Sequence, residues 1–306
     1  MTMDRATMMY TDLAVEIQEE CRGDKGEIPG VVLEKYEEGN DTDASRVDVT
    51  KIEIKTAEGV ARMSRPIGTY LTIEIKVGKE SEETVDLSGI LASYLQTLIP
   101  KTARSILTVG LGNASMTADA LGPRTVEKMA QSGMASYASM IIPGVFAQTG
   151  MESSEIIKGI VQRMEPDCII TIDALAARSA FRLGKTVQLT DTGIRPGSGV
   201  GNTRKGINLD TMGVPVIAIG IPTVVSAAAI VSDAMDALKR IGYNESILGS
   251  IAMLDQEEYY QLISEVFAPS LGDLFVMSRN LDAELDDMSS LLARALENVI
   301  CNHCCR

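Results

Sequence analysis

What is scarce in this chain excludes more than what is abundant. It has one histidine in 306 residues, no tryptophan and only 4% aromatic residues. The histidine, His303, stands in the last six residues, CNHCCR. Ser-His-Asp and Cys-His hydrolases need an imidazole fixed beside the nucleophile. A frayed terminus is a poor place to fix one, so the sequence argues against histidine-dependent catalysis. Cysteines number five, and three of them crowd into that same tail. This is no disulfide framework, and a reducing, intracellular compartment is the expectation. No apolar run approaches the roughly 18 residues of a membrane-spanning helix. The opening MTMDRATMMYTD lacks the apolar stretch of a secretory signal. Basic residues are also few, 28 Lys and Arg against 42 Asp and Glu, for a net charge of -14. Such a surface repels nucleic-acid phosphates and anionic lipid, so neither nucleic acid nor membrane is expected as a direct partner.

The length suits one large α/β domain or two modest ones. With aromatics scarce, the core has to be built from Ile, Leu, Val, Ala and the 16 Met. RVDVTKIEIK (46–55) and YLTIEIKV (70–77) alternate apolar and polar residues, the pattern of half-exposed antiparallel strands. A Gly- and Pro-containing turn region, 57–69, separates them, and 85–99 has helical spacing. Residues 1–24 read as a loosely attached arm with a short helical pattern in TDLAVEIQEEC. Then the pattern changes. SILTVG (105–110), CIITI (168–172), TVQLT (186–190) and VPVIAIG (214–220) are continuous apolar runs. Helical patterns at 119–132, 152–164 and 224–240 separate most of them. The expected fold is therefore α/β: a twisted, mostly parallel sheet with helices on both faces, plus a smaller antiparallel element near 46–77. A helix near 255–267, a short run LFVM (274–277) and a long amphipathic helix near 280–299 complete the chain.

Ligands collect at the carboxyl ends of strands in such sheets. Three loops leave those ends, GLGNASMTADALGP (110–123), DALAARS (173–179) and DTGIRPGSGVGNTRKG (191–206), and each holds an aspartate: Asp119, Asp173 and Asp191. Asp173 has two readings. It caps a short helix in ALAARSAF, or it is a functional carboxylate whose pKa is set by apolar surroundings. Asp119 precedes a helix and has the same two readings. Asp191-Thr192-Gly193 matches the signature of pepsin-like peptidases, but those need two such turns on an all-β fold, and this chain has one. The Gly-rich stretches suggest phosphate cradles but match neither motif. Ser115 stands where the third glycine of G-x-G-x-x-G belongs, and the run from Gly197 to Gly201 lacks the lysine and hydroxyl of a P-loop. The Cys301-to-Cys305 tail is too compressed for an ordinary zinc site, and no metal ligand is assigned.

Taken together the loops carry more than their separate motifs. VGLGN (109–113), ADALGP (118–123), GVFAQTGMESSEIIKGI (144–160), PDCIITIDALAARS (166–179), DTGIRPGSGVGNTRKG (191–206) and PVIAIGIPTVV (215–225) resemble the germination protease family. These spore endopeptidases degrade small acid-soluble spore proteins, and the likeness runs from TDLAVE to LISEVFAPSLGDLFVM. The resemblance implies an α/β sandwich like that of hydrogenase maturation peptidases, a homotetramer, and residence in the cytoplasm of the forespore or spore core. It implies a self-processing zymogen and no cofactor. It also implies two catalytic aspartates, which fall on Asp119 and Asp173. Asn113, Asp191, Ser198 and Asn202, on the same loops, are expected to line the site. Family cleavage sites have an acidic residue, an apolar residue, Ala and a second acid. Asp12-Leu13-Ala14-Val15-Glu16 fits, so residues 1–12 are expected to be a propeptide, cut between Asp12 and Leu13 from a single peptidase domain over 13–306. The chain departs from the family in a shorter segment around AQSGMASYASMII and in Ser115-Met116-Thr117-Ala118, where a proline often precedes the aspartate.

Without a core histidine, two facing carboxylates have to activate water and protonate the leaving amine. A hard-cation, all-oxygen site of the hydrogenase-maturation type keeps the same residues but changes the chemistry. A non-catalytic protein that binds basic clients is the reading from another class.

Overall fold

The computed structural model describes residues 11–22, 27–38, 45–77, 86–134, 138–197, 204–231, 233–234 and 274–304. Ser198, Asn202, most of the segment before Asp12, the anticipated 255–267 helix and the last two tail residues lie outside them. The strands are β1 (Val31–Glu38), β2 (Ser45–Ile54), β3 (Gly68–Val77), β4 (Ile106–Gly110), β5 (Ser139–Ile141), β6 (Cys168–Ala177), β7 (Thr186–Thr190), β8 (Val216–Ser226) and β9 (Phe275–Met277). They form one sheet in the order β1-β2-β3-β7-β8-β6-β4-β5, with β9 added beside β8. Pairs β4–β5, β4–β6 and β6–β8 are parallel, and the others are antiparallel. The α/β class holds. The antiparallel element near 46–77 is part of the same sheet, joined to it where β3 pairs with β7.

The helices are α1 (Ala14–Arg22), α2 (Ala57–Met63), α3 (Leu87–Leu98), α4 (Leu121–Gln131), α5 (Phe146–Thr149), α6 (Ser153–Met164), α7 (Leu209–Met212) and α8 (Leu281–Cys304). One sheet face carries α3, α4 and α8 over Ile106, Ile170, Ile172 and Ile219. The other face is divided. Its lower half packs Ile157 of α6 and Met212 of α7 over Leu107, Val109 and Ile169. Its upper half packs Leu13 to Val15 and Met63 over Ile52, Tyr70, Leu175 and Ala177. Strands β4 and β7 are buried along their whole length, which is why they read as unbroken apolar runs.

Three expectations need correction. The region 57–69 contains α2, whose start is capped by Thr56 accepting from Gly59 N at 3.2 Å and whose end turns through Ser64 at φ 49. The arm is not loose from residue 11 onward, since Leu13 and Ala14 have no exposed surface. His303 is not frayed either. It is buried in the last turn of α8, with Nδ1 3.1 Å from the Val299 carbonyl oxygen. The strand β1 had no clear signal in VVLEKYEE because most of its residues are exposed.

Two glycines bring α4 onto the sheet. A Cβ on Gly122 would collide with the carbonyl oxygens of Ile172 and Leu111, and one on Gly110 with that of Gly122. Backbone does not yield as a side chain does. Gly122→Ala is therefore expected to cost about 1–3 kcal/mol or more through overpacking. A lower urea midpoint with an unchanged slope is the signature to look for.

Candidate active site

Strand β6 is the beam on which the site is built. It pairs with β4 only up to Gly110↔Ile172, and just past β4 Leu111 N donates to Ile172 O at 2.8 Å. It continues along β8 to Ala177↔Val225. Asp173 therefore lies inside a strand, and the expected short helix after it does not form. The Ala-rich stretch stays extended because β8 offers it a continuing ladder, which outweighs helix propensity. The ladder absorbs one irregularity at Leu175/Ala176, opposite Pro222, where a residue without an N–H breaks the bonding pattern.

Asp173 pairs in register with Gly220 of β8, and Gly220 pairs with Gln188 of β7. Asp173 and Gln188 thus face the same way across a strand that has no side chain at that point. Along β6 the same face presents Ile169 to the lower apolar cluster and Leu175 to the upper one. Asp173 sits at the seam between them, 6% exposed. Its Oδ1 accepts from Ala174 N at 3.0 Å.

Asp119 comes from the loop between β4 and α4, in a short 3-10 turn, Thr117–Asp119. Its Oδ2 accepts from Asn113 N at 2.8 Å. The turn fits because Gly112, at φ +110, has no Cβ to strike the Asp119 carbonyl oxygen. Thr223 Oγ1 of β8 donates to Ala118 O at 2.6 Å and ties the loop over the sheet. Asn113 Oδ1 in turn accepts from Gln148 Nε2 at 2.7 Å.

Both carboxyls are pushed toward the neutral form. Burial pushes the Asp173 carboxyl well above its ordinary range, and the charges of Asp119 and Asp12 push it further. Burial also raises Asp119, against the Asn113 N–H bond and the Arg204 cation, which both favour its charged form. Like charges at one seam that resist joint ionisation are the arrangement from which acid-base pairs are made. Among the described residues no three His, Cys, Asp or Glu side chains gather as a metal site.

The arm fills the rest of the seam. Beyond Ile172 the β4 side of β6 has no strand neighbour among the described residues, and Asp12 takes up that edge. Its N–H donates to Ala176 O at 2.9 Å, and its Oδ2 accepts from Ala176 N at 3.0 Å. Gln188 brackets the next peptide bonds, donating from Nε2 to Asp12 O at 2.9 Å and accepting at Oε1 from Ala14 N at 2.6 Å. Arg65 Nη2 donates to Thr11 O at 2.8 Å.

A germination protease family model matches residues 8–245 of this chain. The chain belongs to the germination protease family. It is 37% identical over 94% of its length to a germination protease of Clostridium tetani, of which 93% is covered. It is 36% identical over 96% of its length to that of Bacillus subtilis, again with 93% covered. A solved hydrogenase maturation protease, HycI of Thermococcus kodakarensis, covers 67% of this chain and 99% of its own at 15% identity and a TM-score of 0.35. The chain is accordingly a peptidase with a role in spore germination. No described helix is long and apolar enough to cross a membrane.

The expected residues fall in different places. Asn113 N–H is bonded to the Asp119 carboxylate, and the charges of Asp119 and Asp12 both bear on Asp173. Asp191 is exposed and engaged elsewhere, its Oδ1 accepting from Thr69 N at 2.8 Å where β3 begins. Sequence reading missed Gln188 and Arg204. A lone Gln in TVQLT carries no motif, and only the row across β7, β8 and β6 gives it meaning. Arg204 lay within a quoted loop, but its cationic effect on both aspartates depends on the fold.

Proposed function

We propose that this chain is an endopeptidase that removes its own first 12 residues by hydrolysing the Asp12–Leu13 bond and then degrades small acid-soluble spore proteins in the germinating spore. The observation that carries the reading is the position of the arm. Asp12 lies hydrogen-bonded along the same stretch of β6 that holds Asp173, close enough for its charge to act on that carboxyl. A segment bound edge-on to a strand beside a carboxylate pair is bound as a peptide substrate would be.

In this reading Asp173, the more deeply buried carboxyl, is the member of the pair that keeps the proton. Asp119, favoured in its charged form by Asn113 N–H and Arg204, is the base. Asp119 takes a proton from water, the resulting hydroxide adds to the scissile carbonyl carbon, and Asp173 gives its proton to the departing nitrogen. The pair titrates as a unit. A homotetramer in the spore interior completes the proposal, as the family resemblance implies.

The test is a time course of intact mass on the purified full chain at mildly acidic pH. The expected product begins at Leu13. A chain that keeps its first 12 residues under every pH tried, or is cut elsewhere, contradicts the assignment.

A further inference from the structure

The bond to be cut has a hydrogen-bond donor that the two aspartates do not supply. In the reading above Asp119 serves the water and Asp173 the departing nitrogen, so neither is assigned to the carbonyl oxygen. That oxygen, Asp12 O, accepts from Gln188 Nε2 at 2.9 Å. Arg65 serves the same segment one peptide earlier, its Nη2 donating to Thr11 O at 2.8 Å.

We propose that Gln188 is a catalytic residue, the side-chain donor that stabilises the oxyanion formed at Asp12 O when the Asp12–Leu13 bond is hydrolysed. The proposal rests on the peptidase reading above. As hydroxide adds to the Asp12 carbonyl carbon, the π pair of the C=O bond moves onto oxygen, and a neutral acceptor becomes an anion. The bond from Nε2–H then becomes charge-assisted and strengthens. When the tetrahedral species collapses, C=O re-forms, the C–N bond breaks, and the Leu13 nitrogen leaves with the proton from Asp173. Gln188 transfers no proton at any point. A contact that holds the charged oxygen more tightly than the neutral one lowers the barrier, whereas equal hold on both would only bind.

The amide is prepared for this before the reaction starts. Gln188 is 7% exposed on β7, a strand buried along its whole length, and in such surroundings a hydrogen bond to a charge counts for more than in water. Its other end fixes its orientation. Oε1 accepts from Ala14 N at 2.6 Å, so a reversed amide would set an NH2 against the Ala14 N–H and an oxygen against Asp12 O. The donor therefore faces the carbonyl without any rearrangement as charge develops. The peptide is held from the opposite side as well, since Asp12 is bonded through its N–H and its carboxylate to Ala176 of β6. Finally, Gln188 and Asp173 flank Gly220 in one row of the sheet, so the oxygen donor and the nitrogen acid rise from the same rigid element.

The test exchanges that one oxygen atom. A synthetic peptide of residues 1–20, with either the ordinary amide or a thioamide between Asp12 and Leu13, is ligated to residues 21–306 at Cys21, and the full chain is refolded. Sulfur accepts a hydrogen bond more weakly than oxygen. Arm removal is followed by intact mass in the oxygen and sulfur chains of the parent and of Gln188→Leu. The exchange is expected to slow the parent by roughly a hundredfold, and to slow Gln188→Leu by about tenfold less, as coupled partners do in a double-mutant cycle. Each ratio is taken within one protein, so a weaker hold on the arm in the variant cancels. If Gln188→Leu does not refold, Gln188→Glu at neutral pH keeps an acceptor for Ala14 N, removes the donor and should show the same smaller ratio. An equal oxygen-to-sulfur ratio in parent and variant overturns the oxyanion role and leaves the peptidase reading standing. An oxygen chain that the parent never cuts sinks both.

Discussion

Asp173→Asn is expected to stop removal of the arm while making the protein more stable at neutral pH. Loss of a group that moves a proton in the transition state costs roughly a hundredfold to ten-thousandfold in rate. The stability change has the opposite sign, for a reason that can be worked through. The folded-state pKa of Asp173 is raised by burial and by the charges of Asp119 and Asp12. The folded protein therefore binds this proton more tightly than the unfolded chain, whose aspartates titrate near about 3.9. Its contribution is fully present below that value and is lost as pH rises through the raised folded pKa. Asparagine keeps the shape and cannot ionise. The variant should match the parent near the unfolded pKa and pull ahead of it as pH rises toward 8. Urea midpoints across that range measure this. A variant that is less stable than the parent at high pH would mean that the Asp173 carboxylate is held by favourable partners rather than strained by unfavourable ones. A site kept at a cost in stability is common where chemistry is done.

Gln188→Leu is the second large effect. The amide is buried and serves two main-chain groups at once, the Asp12 carbonyl and the Ala14 N–H. Leucine keeps much of the volume and satisfies neither. Each buried orphan costs about 1–3 kcal/mol, so the arm should detach locally before the rest of the fold is affected. Hydrogen exchange should rise at residues 13–18 in the intact variant, and arm removal should slow by tenfold or more because the scissile peptide is no longer held. Gln188→Glu discriminates the two contacts. It retains an acceptor for Ala14 N, loses the donor to Asp12 O and adds a third acid near Asp12. Slow processing in Gln188→Glu with normal protection of the arm would place the effect on the carbonyl. Normal processing in both variants would show that the bracket is dispensable.

The fold was legible where burial is two-sided. ILTVG, CIITI and TVQLT announce themselves because β4, β6 and β7 have helices or arm on both faces. Legibility failed where a pattern served two masters. In β2, Val47 and Val49 pack under α3 and α8, whereas Ile52 and Ile54 pack on the opposite face under the arm. The alternation changes phase within one strand, so the sequence hides the fact that β2 links two clusters. The continuation of β6 past Asp173 was hidden for another reason. Ala-Leu-Ala-Ala has helical propensity, and only pairing with β8 keeps it extended. The candidate dyad was visible through resemblance and through the absence of any competing histidine. Its surroundings were not, because Gln188 and Arg204 are brought to the aspartates only by strand register and by loops far apart in sequence.

The most direct measurement is a side-by-side mass time course at mildly acidic pH of the parent chain, Asp119→Asn and Asp173→Asn, each checked for folding by its urea midpoint. The account predicts that the parent loses its first 12 residues while both folded variants keep them throughout. Removal of the arm at the parental rate by either variant would contradict it.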